Sequence, residues 1–309
     1  MSRARQDFLQ RFATFEQTLG EATVQDGALH ETDRNAKARL LRNGLAVASF
    51  AFLEDFIRQR SGEVLANIAA SGVPFSVLPD KVRSATTFGL LRSLESRMKF
   101  EPDDAAKISF VQNHAGFVAS TTTMPFQLSE LSFGYKSSNI SEDEVADILR
   151  AFRVQGPWQA VGFLASRVGL GSLVLMEAFK NAAKRRHMAA HVAGATTPLN
   201  DLENYVREAK AIAFGFDVLL SAPALQIRRR DVSYLGGGVL DPAKIPIHLL
   251  YQERGRFKER VFGSGRARAT APDVAGIEVV AYPRAIASGA AIAYLNPSGQ
   301  LEKWDFPAL

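Results

Sequence analysis

The apolar positions of the first two thirds of the chain recur at helical spacing. Phe8, Leu9, Phe12, Phe15 and Leu19 mark one face of a helix over 3–20 that Gly20 ends. The longest periodic segment spans 32–70. It reads as one helix or two, because Gly44 and Gly62 each weaken it by about 1 kcal/mol relative to alanine. Its middle, Leu45 to Ile57, is apolar nearly all round, the mark of a buried helix, and is interrupted by Glu54 and Asp55. A loop with two prolines follows at 71–79. Further helices are predicted over 80–99 and 103–114, then an irregular stretch rich in Ser, Thr and Gly over 119–140. Ser141-Glu142-Asp143-Glu144 is a capping box that starts a helix running to about Arg153, and another is expected from Pro157 to Val168. Leu173, Leu175, Met176, Phe179 and Ala183 give one face of a strong helix over 172–193 that Gly194 stops. Thr197-Pro198 and Asn200-Asp201-Leu202-Glu203 begin the next, expected to run to about Ser221 with Pro223 beyond it.

The pattern then changes. Residues 224–309 hold nine of the 23 glycines and six of the 13 prolines. Short β-type runs are predicted at Val232–Leu235, Ile245–Tyr251, Phe257–Phe262, Ile277–Tyr282 and Ala290–Leu295. Gly236-Gly237-Gly238 and Asn296-Pro297-Ser298-Gly299 read as turns between them. Helices followed by strands argue for an α+β protein in two segregated parts. These are a helical unit over 1–223 and a small β-rich unit over 224–309. No internal repeat or low-complexity tract is visible.

Composition narrows the function classes. The 309 residues carry a net charge of +5, and +4 of it lies in 224–309. A basic balance suits an anionic partner such as RNA without establishing one. With no cysteine, disulfides, zinc–thiolate sites, iron–sulfur clusters and cysteine nucleophiles are excluded. The expected address is the reducing cytoplasm: the first ten residues are polar, with no signal-peptide core, and no run of about 18 uncharged apolar residues suggests a membrane partner. The Asn139-Ile140-Ser141 sequon then reads as chance.

Most catalytic templates are missing. There is no phosphate-binding Gly-rich loop ending in Lys-Ser/Thr, no His-Glu-x-x-His pair and no Gly-x-Ser-x-Gly elbow. What stands out is Lys184-Arg185-Arg186-His187-Met188-Ala189-Ala190-His191, at the C-terminal end of the helix before Gly194. Arg186 and His191 are five positions apart, about 140° of rotation and about 7.5 Å of rise, so they do not stack as neighbours four apart do, though both can still border one cleft, especially beside a symmetry mate. A neutral imidazole can take the proton from a ribose 2′-hydroxyl, and a guanidinium can hold the phosphate and the charge developing on it. A solvated basic last turn that complements the helix dipole explains the same residues.

Arg186-His187-x-x-x-His191 resembles the signature of the HEPN superfamily: Arg, a polar residue, three more positions, then His near a helix end. The amphipathic helix of Leu173–Lys184, the small-residue loop of Ala193–Pro198 and the following helix of Asn200–Leu220 extend the likeness. The apolar helix around Leu45–Ile57, with Glu54 in it, resembles the second helix of the RiboL-PSP-HEPN or MAE_28990-like branch. The resemblance covers roughly residues 30–222. It implies an α-helical bundle that pairs as a homodimer, with the two motifs in one composite cleft. It also implies a metal-independent endoribonuclease, needing no cofactor, that leaves 2′,3′-cyclic phosphate and 5′-hydroxyl ends. The setting it implies is prokaryotic defence or toxin–antitoxin, where an antitoxin or other regulatory protein is a partner. A non-catalytic HEPN module that binds RNA or dimerises within a larger complex is the alternative. Carried over residue by residue, His191 is the general base or acid, Arg186 binds the scissile phosphate, and His187 orients or assists. One toxin branch has a tyrosine two positions after the histidine, where an antitoxin adenylylates it. Here that position is Ala193, which puts that mode of neutralisation in doubt. The β-rich part lies outside the pattern.

Glu54 is a candidate for orienting Arg186 from behind, or else forms a structural pair or faces water. Lys184 and Arg185, and Arg228-Arg229-Arg230 at the start of the C-terminal part, are candidate RNA-backbone contacts, with a solvated turn and a charged linker as the plainer readings. Trp158 and Trp304 read as packing residues rather than base-stacking platforms. His30, His114 and His248 have no partner recognisable from sequence.

Overall fold

The computed structural model describes residues 2–171 and 174–309. Helix α1 (Arg3–Leu19) begins where the Ser2 side chain accepts from the Arg5 N–H, the capping bond that a serine before a helix provides. Its buried face is Phe8, Phe12, Phe15 and Leu19, close to the predicted stripe. Helix α2 (Thr32–Ala69) runs unbroken for 38 residues through both glycines. After a 3₁₀ turn at Phe75–Val77, the expected helix over 80–99 is present but not uniform. A π-helical stretch at Ala85–Gly89 separates α3 (Asp80–Ser84) from α4 (Leu90–Met98). Helix α5 (Asp104–Ser120) is capped by Asp103 and runs six residues beyond the expected end.

Ser141 caps α6 (Glu142–Ala151), accepting from the Glu144 N–H. The return half of the capping box is not made: the Glu144 carboxylate accepts instead from the Lys136 N–H. Helix α7 (Pro157–Ser166) carries its proline in the first turn, where no N–H is needed. Helix α8 (Leu175–His191) holds Leu175, Ala178, Phe179 and Ala182 inward. The expected start at 172 and the stripe position Leu173 lie outside the described residues. The helix ends at Val192, which is extended, and not at Gly194.

Helix α9 (Leu199–Arg228) corrects the expected end at Ser221. It continues through Pro223, so position 223 lies inside a helix. A proline in a helix interior costs about 3 kcal/mol. Here nearly every residue from Ala209 to Leu225 is buried, and that packing offsets the loss. Helix α9 has the length and hydropathy to cross a membrane, but 89% of its apolar window is buried by the rest of the chain, as in a core helix.

Two predicted strands are helical. Val232–Leu235 is the one-turn helix α10, capped by Asp231, so Gly236-Gly237-Gly238 follows a helix and joins no strands. Ile277–Tyr282 lies in α11 (Val274–Ser288), where Ile277, Ala281 and Ala285 recur every four residues on the buried side. The sheet comprises β1 (Ile247–Glu253), β2 (Arg256–Val261), β3 (Ala269–Ala271), β4 (Ala291–Leu295) and β5 (Leu301–Asp305), in the order β3-β2-β1-β4-β5. Strand β1 pairs antiparallel with β2 and parallel with β4, across the α11 connection. Asn296-Pro297-Ser298-Gly299 does turn between strands, from β4 to β5. Strands β3 and β5 have no counterpart in the sequence pattern: the first has three residues, and the second reads Leu-Glu-Lys-Trp-Asp, with little alternation.

The architecture is therefore α+β, a mainly helical bundle followed by a small β-rich C-terminal part. The sheet packs on both faces. Leu250, Ile292 and Tyr294 meet α11. Leu249, Ala291, Ala293, Leu301 and Trp304 join the same apolar cluster as Phe8, Phe56 and Phe216 of the bundle.

Candidate functional site

Helices α2 and α8 lie side by side, with Phe50 and Phe179 in edge contact at 5.3 Å between ring centres. This contact sets the end of α8 against the first half of α2. Beyond it, Asn43 fixes the loop that follows the motif. Its amide donates to the Ala195 carbonyl at 2.8 Å, and its oxygen accepts from the N–H and hydroxyl of Thr197. The neighbouring Arg42, almost fully buried, donates to the Thr197 and Val24 carbonyls and pairs with Asp26 at 3.0 Å. Neither residue is legible as functional from sequence. A polar residue inside a long helix gives no sign that a loop about 150 positions later will sit on it.

The result is an open cleft of about 500 Å³ lined by Leu40, Asn43, Gly44 and Val47 of α2 and by Ala189–Ala193 around the end of α8. His191 faces it. A Cβ built on Gly44 meets nothing within 4 Å, so the glycine widens the cleft and serves no close approach. His187 and His191 are exposed, four positions apart on α8, with ring centres 4.9 Å apart. Arg186 is half-buried on the adjoining flank, and its Nε is buried with no hydrogen-bond partner.

Glu54 sits behind the arginine. It is buried and accepts from the Ile140 N–H at 2.7 Å, with no ion pair to Arg186 within 4 Å. Burial raises its carboxyl above the ordinary value. The Ile140 N–H, then the charges of Arg58 and Arg186, oppose that rise, and Glu144 adds to it. Glu54 and Arg186 thus act on each other through space, without touching.

The remaining candidates are scattered. Lys184 is exposed. Arg185 turns toward the bundle: it lies 3.7 Å from Asp201 and over the Tyr205 ring at 5.7 Å. The Tyr205 hydroxyl below it is buried without a partner, and its pKa is pushed far up by that burial. Arg228, Arg229 and Arg230 close α9 and form no linker. Each donates to backbone carbonyls, of Ala308, of Ile286 and Ala287, and of Gly72 respectively. Trp158 packs on Phe179, and Trp304 is buried in the core with its N–H on Asp217. His114 bonds Ser129, and buried His248 bonds Glu259 at 2.7 Å. Among the described residues, no group of three or more His, Asp or Glu side chains is placed to hold a metal ion.

Set against known proteins, the chain matches no family model, no curated protein and no solved structure.

Proposed function

We propose that the chain is a HEPN-type endoribonuclease that cuts RNA without a metal ion. The observation that carries this reading is the exposed end of α8. There His191 lines a cleft open to solvent, the His187 ring stands 4.9 Å from it one turn back, and Arg186, next along the helix, carries an unpaired buried Nε. His191 takes the proton of the ribose 2′-hydroxyl, the oxygen attacks the adjacent phosphorus, and the 5′-oxygen leaves with a proton returned by an imidazolium. Arg186 holds the phosphate and balances the charge that builds on it. His187, one turn away, orients the His191 ring or shares the proton transfer. The products are a 2′,3′-cyclic phosphate and a 5′-hydroxyl.

A homodimer belongs to the same reading. Leu40 is 72% exposed on the cleft wall, and Met188 and Val192 are also exposed beside the histidines. A second copy that covers them brings a second motif to the cleft. A cytoplasmic toxin or defence role, with an inhibitory partner, completes the proposal.

The test is incubation of the pure protein with total RNA and with tRNA in EDTA, beside Arg186→Ala and His191→Ala. The expected result is cleavage by the wild type, with cyclic phosphate ends, and a loss of at least about a hundredfold in each variant. Cleavage that survives in both variants, or RNA left intact by the wild type, overturns the reading. If the protein is a toxin, its expression arrests growth, and His191→Ala restores it.

A further inference from the structure

The densest positive charge in the chain lies away from α8. Residues 254–268 hold Arg254, Arg256, Lys258, Arg260, Arg266 and Arg268, against a single acidic residue, Glu259. Glu259 is fully buried, held by His248 at 2.7 Å and Arg284 at 2.6 Å, so it does not reach this surface. Alternate residues of a strand share a face. Arg256, Lys258 and Arg260 therefore lie on one side of β2, and Phe262 continues the series. The pairing of β2 with β1 sets Tyr251 opposite Lys258 and Glu253 opposite Arg256 on that same side.

Near β4 and β5 this face is covered by the bundle. Toward β2 and β3 it emerges into solvent. Arg256 of β2 is exposed, as are Arg254 in the β1–β2 turn and Arg266 and Arg268 in the segment between β2 and β3, and Phe262 is 41% exposed. The stripe interleaves cations with rings. Arg260 lies over Tyr251 at 5.5 Å, and Arg167, at the end of α7, lies over Phe262 at 4.7 Å and near Phe163 at 5.8 Å. The Nε atoms of Arg260 and Arg167 are both buried without partners. Glu253, paired with Lys258, is the one carboxylate on the stripe.

We infer that this β2 face is a second RNA-binding surface, which takes the backbone and unstacked bases of a single strand. Successive basic residues of the row stand about 6.8 Å apart along the strand, near the step between phosphates of an extended chain. The exposed ring of Phe262 offers a base a stacking platform at the end of the row. Duplexes keep their bases stacked and cannot use the ring, so the surface selects single strands. The inference takes its ligand class from the endoribonuclease reading, but its residues are independent of α8.

The experiment measures binding of a labelled single-stranded RNA of about 20 nucleotides, longer than one such groove spans, to the full chain carrying His191→Ala, as a function of salt. Adding Arg256→Ser, Arg266→Ser and Arg268→Ser is expected to weaken binding about tenfold or more and to lower the salt slope by about 2, near 0.7 for each phosphate no longer neutralised. Adding Phe262→Ala weakens it by about fivefold or more without changing the slope. A control with the same charge change elsewhere, Lys81→Ser, Arg92→Ser and Lys99→Ser, leaves both nearly unchanged. Equal weakening in the control, equal affinity for a duplex, or full binding by the stripe variant overturns the inference. Wild-type cleavage separates the two readings. Cutting with stripe-independent binding removes only this inference, and stripe-dependent binding without cutting removes only the nuclease.

Discussion

Asp217 stands at the densest gathering of buried charge among the described residues. Its carboxylate accepts from Arg5 at 2.7 Å, Arg60 at 2.6 Å, Trp304 at 2.7 Å and Ser221 at 2.9 Å. Burial alone would raise its pKa. The two guanidinium groups reverse that and hold it well below the carboxylate range. Asp217→Ala leaves two buried cations short of a partner, so a drop of about 3–5 kcal/mol is expected in urea unfolding. Because the folded carboxyl is depressed, its stabilisation is complete above the ordinary value of 3.8 and fades as pH falls below it. The wild type should therefore lose stability steeply in acid, and the variant less so. Glu54 has the opposite sign. Its raised carboxyl favours the fold below pH 4.5, and the gain fades as pH rises through the folded value. Glu54→Gln keeps an acceptor for the Ile140 N–H and removes the charge behind Arg186. The expected outcome is a folded protein that cuts RNA more slowly, with a stability difference from the wild type that vanishes below about pH 4.5.

At the scale of elements, one packing point sets the helical bundle and another seats the loop beside the site. Helix α9 crosses α7 at Gly215, where a Cβ would stand 2.8 Å from a methyl of Val161 and 3.0 Å from its backbone. Gly215→Ala forces the two helices apart and should cost about 1–3 kcal/mol, seen as a lower thermal midpoint. The second point is the seat of the 192–198 loop on Asn43. Asn43→Ala removes three hydrogen bonds from that loop while leaving α2 a better helix former. It should lower RNA cleavage more than stability, with kcat falling more than KM rises if the loop positions His191. Full activity in Asn43→Ala would show that the loop needs no such anchor.

The whole molecule is joined by its last strand. Trp304 of β5 stacks edge-on against Phe56 and Phe214 and bonds Asp217, while Asp305 pairs with Arg5 of α1. The first and last elements thus meet through one buried polar group. A single unfolding transition is expected, with far-UV and tryptophan signals moving together. Trp304→Ala opens a cavity and strips a donor from Asp217, so a drop of about 3–5 kcal/mol is expected across both signals. Two separate transitions would refute this coupling.

The long helices are readable from local pattern. The stripe of α1, the Ser141 cap and the proline at the start of α7 act within one turn, so neighbouring residues suffice to specify them. So is the basic, histidine-bearing end of α8, since spacing along one helix decides which rings adjoin. Sequence alone also placed strands in the C-terminal part, although its boundary at 224 falls inside α9, which runs to Arg228. Tertiary packing decided the rest, because it sets local preference against burial far along the chain. Pro223 is carried inside α9 by packing from every side. Ile277–Tyr282 is helical although its residues favour strands, because its every-fourth apolar side closes one face of the sheet. Arg42 and Asn43 gained a role only when the chain brought Thr197 to them. Arg228, Arg229 and Arg230 found carbonyls, while the charge left free for an anion gathered on β2, where alternation and the sheet's overhang turn a run of separate residues into one surface.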